Sequence, residues 1–200
     1  MYLRPAFVET DPTRIRALIA ANPFGVLVTH GPEELDASHV PFAIEEDGDW
    51  WLAGHLAAAN AQCARLDGGR ALAVFGGPHA SISPSWYQAQ PAVPTWDYAA
   101  VHVHGRLETV TDAAGIAAGL RAVSAHDPVG FSLDAMPEGF RARMVAGIRA
   151  FRLRPERIEA QWKMSQNRSR ADREGVIAAL RARGENAVAD LIEATLTPGA

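Results

Sequence analysis

Cysteine and long apolar runs are both scarce in this sequence. The 200 residues include one cysteine, Cys63. A single cysteine forms neither an intrachain disulfide nor a multi-cysteine metal site, which fits a reducing compartment. The N-terminal stretch MYLRPAFVETD lacks the apolar core of a signal peptide, and no run of about 18 apolar residues follows. We therefore expect a cytoplasmic protein without membrane spans.

Several catalytic signatures are also missing. The sequence has no GxSxG elbow, no GxxxxGK[ST] loop, no GxGxxG fingerprint and no HExxH helix, which removes common hydrolase, nucleotide-binding and metalloprotease classes. Nineteen Lys and Arg residues stand against 23 Asp and Glu, a net charge of -4. That balance argues against a broad nucleic-acid-binding surface and leaves room only for a local basic patch.

Periodicity and capping residues predict an α+β protein. Asp11-Pro12 before an apolar stripe is typical of a helix start, and short β-rich runs separated by turn residues indicate an antiparallel meander. About six short strands with interspersed helices favour a small closed or partly closed barrel. The predicted strands are 24–30, 38–45, 49–53, 70–76, 98–110 and the runs RAFRL and RIEAQWKM. The predicted helices are 12–21, 56–66, 112–123, 138–147, 170–182 and 186–196.

The stretch GGPHASISPSWY, residues 76–87, is predicted to be a shaped loop. Pro78 and Pro84 fix local dihedrals and remove two backbone donors, which disfavours a central strand. The loop also carries an imidazole, hydroxyls and two aromatic rings, so a ligand-contacting role and a merely connecting role both stay open.

Six of the seven histidines lie in the barrel-like part, and two of them share a strand face. In HVHGRLE, His102, His104 and Glu108 have the HxHxxxE spacing of cupin metal sites. Period two places Val101 and Val103 on the opposite, apolar face. Because any half-exposed strand shows the same alternation, a solvated or interface-facing strand is the favoured interpretation and metal binding the minor one.

Three further features have a functional and a plain interpretation. Cys63 is interpreted as a small core hydrophobe on the predicted helix 56–66. The start of that helix, in AGHLAAANAQ, could bind an anion through its first amides or could be an ordinary alanine-rich helix. In KMSQNR, Lys163 and Ser165 offer a cation and a hydroxyl to a phosphate or a flavin edge, or else form a polar strand end.

Taken in order, GHLAAANAQ, GPHASISPSWY, VPTWDYAAVHVHG and WKMSQNR resemble the PaiB family of FMN-binding negative transcriptional regulators. The likeness extends from MYLRPAF to the terminal helices. The resemblance implies a pyridoxamine-phosphate-oxidase-like split β-barrel, an α+β fold with peripheral helices and a C-terminal helical pair. It also implies a homodimer with FMN at the subunit interface. The sequence departs from the usual family pattern at Ser81, Asp97 and Ala61, where tyrosine, asparagine and proline are usual.

The resemblance also implies the residues of the flavin site. The expected cofactor-binding residues are Thr29, Ser38, His39, His55, Asn60, Lys163, Ser165, Gln166 and Asn167. The expected ligand-side residues are His79, Ser83, Trp86 and Trp96. No catalytic residue is assigned, and whether the protein is an enzyme stays open.

Alternatives remain at this stage. The protein could be a flavin-dependent reductase or oxidase using NAD(P)H, or a haem or metal binder through His102 and His104. DNA binding has little support, since the arginine-rich helix 170–182 is followed by a helix with Glu185, Asp190 and Glu193, which phosphate would repel. The expected organisation is a flavin-binding domain over 1–168 and a helical extension over 169–200 packed on it.

Overall fold

The computed structural model describes residues 1–31, 34–47, 49–127, 129–130, 132 and 135–196. The chain divides into two compact units. The first, here the terminal unit, comprises Met1–Leu18, Gly76–Val101 and Glu159–Ala200. The second, the central unit, comprises Ile19–Phe75 and His102–Ile158.

Seven strands and five α-helices lie in the described part of the chain. The strands have the order β2-β1-β5-β6-β7-β4-β3 in one sheet, and the pairings for which a register is defined are antiparallel. The strands are β1 (Phe24–His30), β2 (Leu35–Pro41), β3 (Ala43–Asp47), β4 (Asp49–Ala57), β5 (Arg70–Ile82), β6 (Thr95–Val110) and β7 (Ile148–Lys163). The helices are α1 (Pro12–Ala21), α2 (Ala113–Ser124), α3 (Glu138–Ala146), α4 (Arg170–Ala182) and α5 (Asn186–Ala194).

Capping residues place the helices close to where the sequence predicts them. The bounds of α1 and α4 agree with the predicted ones. The Asp112 carboxylate accepts the Gly115 N–H at 2.7 Å at the start of α2, and Ser169 accepts the Asp172 N–H at 3.1 Å at the start of α4. Gly184, at φ 76°, lies between α4 and α5 in the left-handed conformation that glycine tolerates best.

Several predicted elements differ from the structure in type or extent. Residues 56–66 are not an α-helix: β4 continues to Ala57, and a short 3₁₀ helix spans Ala61–Arg65. Backbone pairing of Leu56 with Arg149 of β7 outweighs the helix propensity of the alanines. Both interpretations of this segment, an anion site and an ordinary alanine-rich helix, assumed a helix that starts near Leu56, which the structure does not have. Cys63 is half-buried.

The predicted loop at 76–87 is largely strand. β5 runs without interruption to Ile82, and only Pro84–Trp86 form a 3₁₀ turn. The register between β1 and β5 ends at Val74, so the missing N–H of Pro78 removes no bond from that ladder. The predicted strand 38–45 is likewise divided, into β2 and β3 at Phe42.

The central unit has a buried side and a partly exposed side, which we call its outward face. Leu27, Leu52 and Phe75 are fully buried, and the Phe42 ring contacts those of Phe75 and Phe151 at centroid distances of 5.2 and 6.1 Å. Alternation along β1 turns its other side chains outward.

The terminal unit contains the C-terminal helices α4 and α5. The buried Asp172 carboxylate accepts the N–H groups of Gln88 and Ala89 at 2.8 and 3.0 Å. The bond from the Ala89 N–H contributes most to lowering the pKa of the Asp172 carboxyl group, and the Ser169 side chain and the Gln88 N–H lower it further. At Gly175 any Cβ would collide with the Trp86 carbonyl oxygen, which explains a glycine inside α4. No described helix combines the length and apolarity needed to cross a bilayer.

Candidate functional site

Three of the predicted cofactor residues meet in the central unit around Gln62, a group we call the Gln62 cluster. The Gln62 side chain is 1% exposed. Its Nε2 donates to the Thr29 hydroxyl at 3.0 Å and to the Leu27 carbonyl at 3.1 Å. Asn60 Nδ2 donates to the Ser38 hydroxyl at 3.0 Å. The structure therefore brings Thr29, Ser38 and Asn60 together.

The same cluster contains an orphaned acceptor and an ion pair. Gln62 Oε1 is buried and has no hydrogen-bond partner in the described structure, although a buried carbonyl normally accepts a bond from protein or water. Arg65 pairs with Asp36, and the Arg65 guanidinium lies where a side chain on Gly31 would have to go. The Gln62 cluster thus combines hydroxyl, amide and guanidinium groups around one unpaired acceptor.

The two predicted histidines of the central unit lie elsewhere. His39 is exposed and stacks on the Phe24 ring at 5.7 Å between centroids. His55 lies on β4 opposite Ala150, and burial lowers its pKa. A lowered pKa favours the neutral imidazole in the unliganded protein, and the role of His55 in a flavin site stays a prediction.

The outward face of the central unit bears a cavity of about 650 Å³, which we call the outward cavity. Its walls combine apolar side chains of β1, β2 and β5 with two arginines, two imidazoles and one carboxylate. Glu156 pairs with Arg70 at 3.4 Å and with Arg106 at 3.1 Å. The lining residues are Val28, Thr29, His30, Leu35, Arg70, Ala71, Leu72, His104, Gly105, Glu156 and Arg157.

The alternation predicted for HVHGRLE is confirmed. Val101, Val103 and Leu107 are fully buried, and His102 and His104 are half-buried on the opposite side of β6. His104 lines the outward cavity. A haem or metal role for His102 and His104 stays a prediction.

Lys163 and Ser165 meet in the terminal unit on the carboxylate of Asp97. Asp97 is fully buried, and Ser165 is 2% exposed. Lys163 Nζ donates to Asp97 Oδ1 at 3.1 Å, and Ser165 Oγ donates to Asp97 Oδ2 at 2.6 Å. Ser165 has φ 55°, in the left-handed region that non-glycine residues seldom adopt. The Lys163 ammonium also donates to the Thr95 hydroxyl at 2.8 Å and to the Trp96 carbonyl.

This network assigns partners to all three Lys163 N–H donors inside the terminal unit. One of the departures from the family pattern, Asp97, supplies the counter-charge. Gln166 is also engaged, because Oε1 accepts the Met164 N–H at 2.7 Å and Nε2 donates to the Trp162 carbonyl at 2.6 Å. Asn167 is exposed.

The predicted ligand-side residues all lie in the terminal unit. His79 is exposed on β5, and its ring centroid lies 6.1 Å from that of Trp96, which is 55% exposed. Ser83 caps the 3₁₀ turn by accepting the Ser85 N–H at 3.3 Å. Trp86 lies 5.7 Å from the Arg183 guanidinium. His79 and Trp96 remain candidates for ligand contact, whereas Ser83 has a local capping role.

Sequence reasoning missed Gln62, Arg70 and Arg157. Gln62 is the last residue of the quoted AGHLAAANAQ stretch, and an amide directly after an Asn cap was the available signal. Arg70 and Arg157 are the first residues of the predicted strands 70–76 and RIEAQWKM, to which no functional motif was assigned, so only the strand order reveals that they line one cavity.

Comparison with known proteins agrees with this architecture. A family model described as "Putative FMN-binding domain" matches residues 1–157, and FMN or a related flavin is the cofactor that it implies. The protease synthase and sporulation protein PAI 2 of Bacillus subtilis is 32% identical over 185 residues, covering 90% of this chain and 89% of that protein.

Solved structures share the fold at low identity. A conserved hypothetical protein of Mycobacterium tuberculosis has a TM-score of 0.61 at 15% identity, covering 84% of this chain and 94% of that chain. An FAD- and haem-binding protein of Mycobacterium smegmatis has a TM-score of 0.59 at 14% identity, covering 78% of this chain and 73% of that chain. The predicted α+β split-barrel fold is confirmed. The chain therefore belongs to the PaiB-type family of FMN-binding proteins.

Proposed function

We propose that this chain is a homodimeric flavoprotein in which a second copy covers the outward face and the flavin occupies the outward cavity. The observation that carries the proposal is the apolar character of that face. The outward positions of β1 include Val26 and Val28, which lie opposite Val74 and Leu72 of β5. An antiparallel strand facing water normally has polar side chains at such positions.

Exposed apolar side chains extend the same face. Phe24 on β1 and Leu35 on β2 are each 66% exposed, and Leu35 is paired with His30 in the β1–β2 register. Apolar side chains left exposed on a sheet face are typical of protein–protein interfaces. Because the face is shared by every copy, a twofold dimer could cover both faces in one self-complementary contact.

The chemistry of the outward cavity fits a flavin. FMN presents a dianionic phosphate, a hydroxylated ribityl chain and a planar ring, and when bound it supplies an acceptor for hydride or single electrons. Arg157 would hold the phosphate, since a guanidinium group pairs with phosphate oxygens at two points, whereas Arg70 is already paired with Glu156. Val28, Leu35 and Leu72 supply an apolar wall. The volume of about 650 Å³ lies in the range of cofactor pockets.

Among the predicted contacts, Thr29 borders the outward cavity, but its side chain is 1% exposed and lies on the buried side of β1, so the proposal gives it a supporting role. Thr29 also accepts the Gln62 amide, so the Gln62 cluster would fix the ends of β1 and β2 beside the cavity. The other predicted contacts (Ser38, His39, His55, Asn60, Lys163, Ser165, Gln166 and Asn167) stay predictions.

The regulatory role that the resemblance implies also stays a prediction. On the C-terminal helices, Arg170 pairs with Glu174 at 2.8 Å, and Arg181 pairs with Asp190 and Glu193 at 2.9 and 2.6 Å. Basic groups neutralised in this way contribute little to phosphate binding. We infer that any action on DNA does not use these helices to read a groove. A salt-dependent gel shift that compares the wild-type protein with an Arg181→Gln variant tests this, and the two proteins should shift DNA alike.

The flavin proposal is tested by comparing FMN with riboflavin, which lacks the phosphate. Arg157→Gln should weaken FMN binding by about tenfold or more, because a charge-assisted hydrogen bond contributes roughly 1.5–3 kcal/mol. Riboflavin binding should change by less than about twofold, since the ring and ribityl contacts remain. Flavin fluorescence quenching measures both affinities.

The matched control is Arg152→Gln on the same strand. Arg152 pairs with Glu45 at 2.8 Å and does not line the outward cavity, so FMN affinity should stay at the wild-type value. If Arg157→Gln binds FMN like the wild-type protein, or loses FMN and riboflavin equally, the phosphate assignment is wrong.

A further inference from the structure

The terminal unit has a cavity of its own, which we call the terminal cavity, with a volume of about 660 Å³. The N-terminal segment, α1, the end of β7 and α5 each contribute to it. Most of its wall is apolar, and Phe7, Trp162 and Met164 are buried around it. The lining residues are Phe7, Val8, Glu9, Arg14, Trp162, Met164, Gln166, Leu191, Ala194 and Thr195.

Two of the four polar side chains in this lining are already satisfied within the protein. Gln166 bonds at one end to the Met164 N–H and at the other to the Trp162 carbonyl. The Thr195 hydroxyl donates to the Ile192 carbonyl at 2.6 Å. Neither is therefore held ready for a ligand.

The other two polar side chains form an oriented pair. Glu9 Oε1 accepts the N–H groups of Thr10 and Asp11, both at 2.9 Å, and its Oε2 lies 3.0 Å from Arg14 Nη1. Arg14 also lies over the Trp162 ring, 5.9 Å from the centroid. Glu9 thus holds the guanidinium at the cavity wall.

Arg14 retains capacity for a ligand. A guanidinium has five N–H donors, and the ion pair with Glu9 joins Nη1 to one carboxylate oxygen. The Arg14 side chain is 42% exposed, so an anion reaches the guanidinium directly from solvent. Two anchors, the carboxylate of Glu9 and the ring of Trp162, limit the entropy that Arg14 would lose on binding.

From these contacts we propose that the terminal cavity binds a small hydrophobic carboxylate, its apolar body against Phe7, Trp162 and Leu191 and its carboxylate on Arg14. A neutral ligand would leave the guanidinium unused, and the amide of Gln166 and the hydroxyl of Thr195 are already bonded within the protein. A ligand site in the terminal unit is separate from the flavin proposal and does not rest on it.

The test uses octanoate as the probe and octan-1-ol as its neutral counterpart. Octanoate should bind the full-length protein, and Arg14→Gln should weaken that binding by about tenfold, because one charge-assisted contact is lost. Octan-1-ol should bind more weakly than octanoate and should not respond to Arg14→Gln. Isothermal titration calorimetry measures the affinities, and thermal unfolding of each unliganded variant shows that it is folded.

A second variant keeps the proposal testable if Arg14→Gln is unstable. Ala194→Phe places bulk in the cavity and leaves Arg14 intact, so octanoate binding should fall while FMN binding is unchanged. The proposal is overturned if octanoate does not bind, if octan-1-ol binds equally well, or if folded Arg14→Gln and Ala194→Phe both keep the wild-type octanoate affinity.

Discussion

Replacing Lys163 with methionine is expected to lower the free energy of unfolding by about 3 kcal/mol. Asp97 is fully buried, and Lys163 supplies its counter-charge at 3.1 Å. In the variant the carboxylate would keep only its bond from Ser165 among the described side-chain contacts. A buried charge without a compensating cation is costly because no water replaces the lost partner.

Urea unfolding of three variants measures the effect. Lys163→Met should be much less stable than Asp97→Asn, because the asparagine variant leaves a partly exposed ammonium with its Thr95 and Trp96 bonds. The double variant should recover much of the loss, since the uncompensated carboxylate is gone.

The matched control for this pair is Arg170→Met. Arg170 pairs with Glu174 on the surface of α4, where both side chains are more than half exposed, so the change should stay within about 0.5 kcal/mol. A Lys163→Met variant as stable as this control would show that the buried ion pair contributes nothing.

Val26→Glu is expected to give a folded monomer that has lost most of its flavin affinity. Val26 lies on the outward face, opposite His39 of β2 and Val74 of β5. In the proposed dimer this position is covered by the second copy, so a carboxylate there would have to be buried without a partner. Sedimentation velocity measures the mass, and fluorescence quenching measures FMN binding.

Val129→Glu is the matched control for that variant. Val129 is 89% exposed and lies outside the strands, so the same substitution there should leave both the dimer and FMN binding intact. A dimeric Val26→Glu protein would contradict the proposed interface. A monomer that binds FMN with unchanged affinity would separate the flavin site from the interface.

Local patterns predicted the helices well and the long strands less well. The cap at Asp112 and the turn at Gly184 are short-range signals, and the structure uses both. Pro78 is also a short-range signal, but its missing N–H weakens a sheet only where a neighbouring strand would accept that bond. The β1–β5 register ends at Val74, before Pro78. The alanines of 56–59 likewise favour a helix until β7 supplies a strand partner for β4.

The candidate sites were harder to predict because they join distant parts of the chain. Asp97 and Lys163 are 66 positions apart, and Gln62 and Thr29 are 33 apart. The KMSQNR motif identified Lys163 and Ser165 as neighbouring polar groups. The carboxylate that binds both belongs to Asp97 on β6. Arg70 and Arg157 carry no motif, so only the order of strands brings them to one cavity.

The most direct measurement is a titration of purified, flavin-free protein with FMN, followed by fluorescence and by sedimentation equilibrium. We predict saturable quenching, a higher melting temperature, and a dimer that carries one flavin per subunit. Excess FMN that neither quenches nor stabilises, or that binds fully to a monomer, would contradict the proposal that a dimeric flavin site lies on the outward face.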